Sequence, residues 1–209
     1  MKTIGLLYDS YLNFGGVEQH LLGLLRRADA ARWQFIIISN TSEAFAAQAA
    51  ALGARVVKVT RWRITDPGAV AALAGVLREH GVDLVHAHSP TAAAVGRLAA
   101  RRLRLPAVVT VHLPVAQYHG VRTTLRARLG RWIYTTLDRY LNHSHPAPLL
   151  YVSQAVRDAC VAAGHSPAAR SLVIPNGIEL ELYAGEGDPR NLRAQAGVLE
   201  GEKVIICCG

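Results

Sequence analysis

The sequence is sparing with cysteine, with acidic residues and with long apolar runs. Three cysteines, Cys160, Cys207 and Cys208, cannot make a disulfide framework, and the adjacent pair lies in an apolar stretch where cysteine packs as a small hydrophobe. That excludes a disulfide-stapled scaffold and suits a reducing cytoplasm. Every uninterrupted apolar stretch falls short of the roughly 18 residues that span a bilayer. The opening MKTIGLLYDS turns polar too early for a signal peptide, so none is expected. Fifteen acidic residues stand against 23 Lys and Arg, a formal charge of +8, which calls for an acidic partner: nucleic acid, anionic lipid or a phosphorylated ligand. What the chain has in quantity is hydrophobic content, 51% of 209 residues, enough for a sizeable core and too much for global disorder.

Strand-like and helix-like runs alternate. TIGLLY, WQFIIIS, ARVVKV, DLVHAH, PAVVTVH, PLLYV and SLVIP read as strands because they are short, apolar and partly β-branched. Between them lie helical patterns. One is introduced by Asp66 and Pro67 and closed by Gly81, another is capped by Ser89, and a third is capped by Ser153 and closed by Gly164. Strands that are apolar rather than alternating are covered on both faces, so the expected fold is α/β, a parallel sheet with helices on each side.

The segment NFGGVEQHLLGLLRRA sets Gly15 and Gly16 between the first strand and an amphipathic helix. Strand, glycine turn and helix in that order build an anion site from free N–H groups and the helix dipole; a tight turn without ligand is the alternative. His112 closes AVVTVH, at a strand end of the kind where open α/β sheets gather ligands. His86 and His88 share a strand face, and His143 and His145 repeat the spacing, but no cysteine stands near either pair and no metal is expected. Asn176-Gly177 invites a turn with positive φ. In the basic helical stretch, Leu125, Leu129, Trp132, Ile133 and Tyr140 share a face expected to lie on the core, with Arg128 and Arg131 opposite. Arg101, Arg102 and Arg104 end an earlier helix. This charge is either a solvated face or a surface for anionic lipid; nucleic-acid binding lacks a motif and interleaved aromatics and is not expected.

Four segments together carry a family resemblance: YDSYLNFGGVEQHLLGLLRRA, DLVHAHSPTAAAVGRLAARRLRLPAVVTVH, YVSQAVRDACVAAG and VIPNGIELELY. In order and spacing they resemble the amino-terminal, acceptor-side half of family 4 glycosyltransferases, retaining enzymes of the two-domain GT-B fold. Glu179 and Tyr183 stand where that pattern usually has Asp and Phe. The resemblance implies a Rossmann-like domain over residues 1–177, with 178–209 a linker plus the first strand, KVIICCG, of a truncated carboxy-terminal donor-binding domain. It implies that Gly15 and Gly16 approach the diphosphate of a nucleotide-sugar donor. His112 would be the catalytic contact to the transferred sugar, not a general base, because the leaving phosphate takes the acceptor proton. Glu18 sits on the helix flank, favoured by the dipole, as a structural or acceptor-facing group. His88 and Ser89 edge the acceptor cleft, with His86 half-buried.

The function so implied is transfer of a sugar, with retention, from a nucleotide diphosphate sugar to the hydroxyl of a sugar or lipid-linked acceptor, without cofactor. The expected location is the cytoplasm, with the cytoplasmic membrane face as an option. Neither an Arg–Lys pair nor a Glu-x-Phe-Gly-x-x-x-x-Glu segment is present, so the isolated fragment should be inactive. A nucleotide-sugar epimerase of the same fold and a non-catalytic binding module are the rival readings.

Overall fold

WQFIIIS and the other central strands are apolar along their length because they are covered on both sides, whereas the edge strand SLV leaves Leu172 exposed. In the computed structural model, which describes residues 1–9, 15–114, 125–178, 180, 193–199 and 201–205, seven strands form one sheet. They are β1 (Lys2–Tyr8), β2 (Trp33–Ser39), β3 (Arg55–Lys58), β4 (Leu84–Ala87), β5 (Ala107–Val111), β6 (Leu149–Tyr151) and β7 (Ser171–Val173). Their order is β3-β2-β1-β4-β5-β6-β7, and every pairing is parallel. The protein is thus a Rossmann-like α/β fold, as the alternation of runs predicts.

Right-handed crossovers decide which face each helix covers. Helices α1 (Gly16–Arg27) and α2 (Glu43–Ala51) connect strands running one way from the centre; α3 (Ala69–Glu79), α4 (Pro90–Leu103), α5 (Leu125–Ser144) and α6 (Gln154–Ala162) connect those running the other. The core divides accordingly. Leu6, Tyr8, Phe35 and Ile37 pack with Leu21, Leu22, Leu25 and Phe45 on one side. Their sequence neighbours Leu7, Ile36 and Ile38, with Val85, pack on the other with Leu73, Leu77, Val95 and Cys160, the period-two alternation of strand side chains. Gly96 lets α4 lie close on the sheet, since a Cβ there would stand 2.7 Å from Leu7 Cδ2.

Helix boundaries follow cap chemistry with two corrections. Ser42 and Ser153 accept from the amides of Phe45 and Val156, and Gly81 and Gly164 turn the chain after α3 and α6 at φ +62° and +63°. Asp66, expected to cap α3, instead pairs with Arg61 at 2.6 Å and accepts from the Gly68 amide, so the helix begins at Ala69. Ser89 stands at the N-cap of α4 but makes no side-chain cap; its hydroxyl accepts from the Asp9 amide, 3.1 Å. Neither Asn176 nor Gly177 has positive φ, so the turn expected there does not form.

By internal contacts the chain divides into Met1–Gly177 and Ile178–Gly209. In the second unit a helical turn spans 193–195, and Arg193 donates to the carbonyls of Leu199 and Glu202. Residues 203–205 lie in no strand. The remainder of the expected KVIICCG strand, with Cys207 and Cys208, lies outside the described residues.

Helix α5 is rotated from its expected setting. It turns Tyr134, Asp138, Leu141 and Asn142 inward, while Leu129, Trp132, Ile133 and Tyr140 are 57%, 65%, 43% and 60% exposed. The side chains of Leu125 and Arg131 lie outside the described residues. The cause is ionic. Arg97 on α4, 1% exposed, donates from Nη2 to Asp138 Oδ1 and from Nη1 to Asn142 Oδ1, both at 2.5 Å, and from Nε to the Ala93 carbonyl. His165 Nε2 meets the other Asp138 oxygen at 2.7 Å, and Asn142 Nδ2 donates to the His165 carbonyl. Burial works to raise the Asp138 pKa, but the hydrogen bond with His165 and the charge of Arg97 outweigh it, and the carboxyl is held below its ordinary value. A depressed carboxyl stabilises the fold above its unfolded pKa, and that contribution is lost as pH falls through the folded value.

Removing one partner of a buried pair strands the other charge, at a cost of about 3–5 kcal/mol, whereas replacing both with apolar groups costs far less. Asp138→Asn should therefore destabilise more than the double variant Arg97→Met/Asp138→Leu, as read from urea-unfolding midpoints.

Candidate functional site

Strand order reverses between β1 and β4, and open α/β sheets bind ligands in the crevice beyond the carboxyl ends of strands at such a switch point. The ends of β1, β4 and β5 bring Tyr8 and Asp9, His86 and His88, and Thr110 and His112 to this edge, and the amino terminus of α1 adds Gly15 and Gly16.

The glycine turn is held by a carboxylate. Glu18 is 1% exposed; its Oε1 accepts from the Tyr8 hydroxyl and its Oε2 from the Gly15 amide, both at 2.9 Å. This is half of a capping box, the reciprocal half being impossible because glycine has no side chain. Two expectations change in consequence. The Gly15 N–H is spoken for and points at Glu18, so it is not an anion donor in this arrangement. Glu18, buried and engaged, positions the turn instead of facing an acceptor. At the start of α1 the N-cap residue is Gly15, which offers no side chain to the first-turn amides, and a helix start is where backbone N–H groups can receive an anion. Gly15 has φ −118° and ψ −168°, extended backbone open to any residue, so conformational freedom does not explain the glycines. Crowding does not explain Gly16 either: among the described residues nothing lies within 4 Å of a Cβ built there.

Opposite the turn stand four histidines. The His86 and His88 rings lie 4.1 Å apart between centroids, tilted by 38°; His20, His88 and His112 lie at mutual centroid separations of 5.3, 5.5 and 5.7 Å. His86 Nε2 meets Thr110 Oγ1 at 2.7 Å, and His112 Nε2 approaches His88 Nδ1 at 3.5 Å. His86 is half-buried, as expected. His88 is 1% exposed, which corrects its place at the cleft edge: it forms the floor beneath His112 and His20. Its Nε2 has no hydrogen-bond partner among the described residues. Burial first, then the neighbouring imidazoles, push His86 down to about 4, and burial with His20 does the same to His112; burial, with His86, His112 and His20 beside it, holds His88 well below its ordinary value. His20 is lowered by burial, against the opposing effect of its hydrogen bond with Asn176. At neutral pH the quartet is therefore uncharged, and each ring donates through one nitrogen and accepts through the other. Among the described residues no group of three or more His, Cys, Asp or Glu is disposed to hold a metal ion.

Three contributors escape a reading by motif. His20 lies one helical turn past Gly16, and that spacing from the strand end is the only signal for it. Asn176 fixes His20 rather than shaping a turn. Asp9, 4% exposed, accepts from the Thr91 hydroxyl at 2.8 Å and donates its amide to Ser89, tying the end of β1 to the start of α4. Ser89 is thereby a brace of the crevice. Together these residues form a polar, largely uncharged pocket floor facing a helix amino terminus, able to receive a phosphate at one side and a hydroxyl-rich group at the other.

Known proteins share this arrangement of strands and helices. Anabaena Alr3699/HepE, solved in complex with UDP and glucose, superposes with a TM-score of 0.69 at 24% identity over 94% of this chain and 50% of its own. A sucrose-phosphate synthase from Thermosynechococcus elongatus gives 0.67 at 17%, over 97% and 54%. A UDP-N-acetylglucosamine 2-epimerase gives 0.52 at 12%, over 84% and 48%. At these identities the likeness is one of fold, and the chain spans about half the length of each. No curated protein matches the sequence. The pattern of Glycosyltransferase Family 4 matches residues 14–182, from the glycine turn past the ends of β4 and β5, and the chain belongs to that family.

Proposed function

We propose that this chain is the acceptor-side half of a retaining glycosyltransferase that moves a sugar from a nucleotide diphosphate sugar to the hydroxyl of a sugar or lipid-linked acceptor. The observation that carries the reading is the meeting, at the switch point, of a helix start whose N-cap is a glycine with an uncharged histidine floor, in a chain of this family. Complexes of a fold neighbour with UDP and glucose support a nucleotide-sugar donor. The donor diphosphate would accept from the amides at Gly16 and the first turn of α1, where the dipole favours negative charge. His112, neutral and half-buried at the end of β5, would hydrogen-bond the transferred sugar beside the reacting carbon. It does not deprotonate the acceptor: in a retaining transfer of this kind the departing phosphate takes that proton. Thiols and nucleotide sugars both suit the cytoplasm, where we place the reaction. The epimerase reading has the weaker fold likeness and no separate feature in its favour.

Ribose, base and donor-sugar contacts would come from a second domain, so orientation, worth about 7–11 kcal/mol, is unavailable to this chain alone. Incubated with a panel of nucleotide sugars, the chain should show no turnover. The two-domain enzyme should transfer with anomeric retention, read by NMR of the product, and His112→Ala should lower its kcat by about 10²–10³, the usual loss of one transition-state contact. Hydrolysis or epimerisation in place of transfer would refute the reading, and unchanged kinetics would remove His112 from it.

Gly16→Ala tests the phosphate approach separately. Alanine is the better helix former by up to about 1 kcal/mol, and its methyl meets open space, so melting temperature should hold or rise while affinity for a nucleoside diphosphate falls.

The histidines also set a pH dependence. His86 and His112 take up protons near 6.5 when unfolded but only at about 4 when folded, so the unfolded chain binds more protons between those values and stability rises with pH across that window. The melting temperature should fall on acidification from 6.5 to 4, and His86→Gln should flatten the slope.

A further inference from the structure

From Leu84 to Val156 the chain carries nine arginines and a single acid, Asp138. Elsewhere fourteen Lys and Arg balance fourteen Asp and Glu, so the whole formal charge of +8 resides in this stretch, which builds β4, α4, β5, α5 and β6. Its one acid is turned inward onto Arg97 and His165. The outward face of α5 is the reverse of a normal surface helix. Leu129, Trp132, Ile133 and Tyr140, spaced to lie along one stripe, are exposed, and Arg128 and Arg139 flank the stripe on one side. Tyr140 continues the stripe into an open groove of about 830 Å³ between the carboxyl ends of α4 and α5, whose walls include Arg101, Arg104 and Leu105. Among the described residues no helix is long and apolar enough to cross a membrane.

We propose that this face of α5, with the α4–α5 groove, docks on an anionic lipid bilayer, Trp132, Ile133 and Leu129 entering the headgroup boundary and the surrounding arginines meeting lipid phosphates. A stripe with large apolar side chains outward, arginines at its margin and no exposed acid is the composition of a helix lying in a membrane interface, and the confinement of the entire net charge to this region matches the negative surface potential of such a membrane. Nucleic acid would be served by the charge but not by a continuous Leu/Ile/Trp stripe. A second copy of the chain would bring the same arginines against one another. The proposal concerns where the protein sits and does not depend on the reaction assigned to the crevice.

The experiment is co-sedimentation of the full chain with vesicles of phosphatidylcholine alone and of phosphatidylcholine with phosphatidylglycerol, at low and high salt. It is paired with the emission of Trp132 in a Trp33→Phe/Trp62→Phe background, and with sedimentation velocity without lipid. The expected result is binding to the anionic vesicles only, weakened by salt, with a blue shift of Trp132. Arg128→Gln and Arg139→Gln should each weaken binding about fivefold and Trp132→Glu should weaken it at least tenfold, while Arg27→Gln, on the opposite layer, leaves it unchanged. All four positions are exposed, and circular dichroism of each variant monitors the fold. Indifference to both vesicle types, or equal loss with Arg27→Gln, overturns the proposal. So does self-association abolished by Trp132→Glu without vesicle binding, or retention by RNA in place of lipid.

Discussion

Arg97 is a guanidinium in a place where a charge is costly, and the carboxyl-terminal half of the domain is arranged to make it tolerable. Its Nε, Nη1 and Nη2 donate to the Ala93 carbonyl, the Asn142 amide oxygen and the Asp138 carboxylate, and the second carboxylate oxygen is taken by His165. One helix is thus fixed to the next, and both to the turn that follows α6. Buried ion pairs add little net stability against an apolar substitute but penalise every arrangement that separates them. Here the penalised arrangement is the one that simple amphipathicity would choose for α5. The polar anchor outranks the apolar stripe, and the helix presents Trp132 and Ile133 to the outside.

The crevice obeys a similar economy at the other end of the sheet. Glu18 has the place of a ligand-facing acid at a glycine turn; instead its two oxygens hold the Tyr8 hydroxyl and the Gly15 amide. Asp9, Ser89 and Thr91 brace the adjoining strand end. Both carboxylates at this edge are therefore consumed in fixing backbone, and the groups left to meet a ligand are amides and neutral imidazoles. Such a surface can bind a diphosphate without repelling it.

Much of this was legible in the residues. Seven apolar strands, the parallel sheet and the sheet edge that gathers Gly16, His88 and His112 follow from periodicity and from the rule for open α/β folds, because backbone hydrogen bonding and burial leave few alternatives. What could not be read depends on partners remote in sequence. Asp138 lies 41 residues from Arg97, and no local pattern shows that the pair sets the rotation of α5. Ser89 has the chemistry of a cap, yet Asp9, 80 residues away, claims its hydroxyl. His20 and Asn176 meet only because β7 returns the chain to the same edge. The family match extends across these segments, but family membership names the fold more readily than it distributes roles among four adjacent histidines.

The strand order also governs how the protein can be made. β1, β2 and β3 adjoin one another in sequence and in space, so this half of the sheet can assemble once the first sixty or so residues are available. β1, however, is a central strand whose second edge pairs with β4, Ile4 with Leu84, and the Thr3 amide waits for the Asp83 carboxylate. Until that distant partner arrives, a strand whose last four residues are buried in the finished fold has one row of peptide groups unpaired, the kind of edge on which chains mistakenly join. Non-local parallel pairing of this kind is intrinsically slow. A ribosome-bound chain shorter than about ninety residues is consequently the stage of its life at which this protein most needs a chaperone.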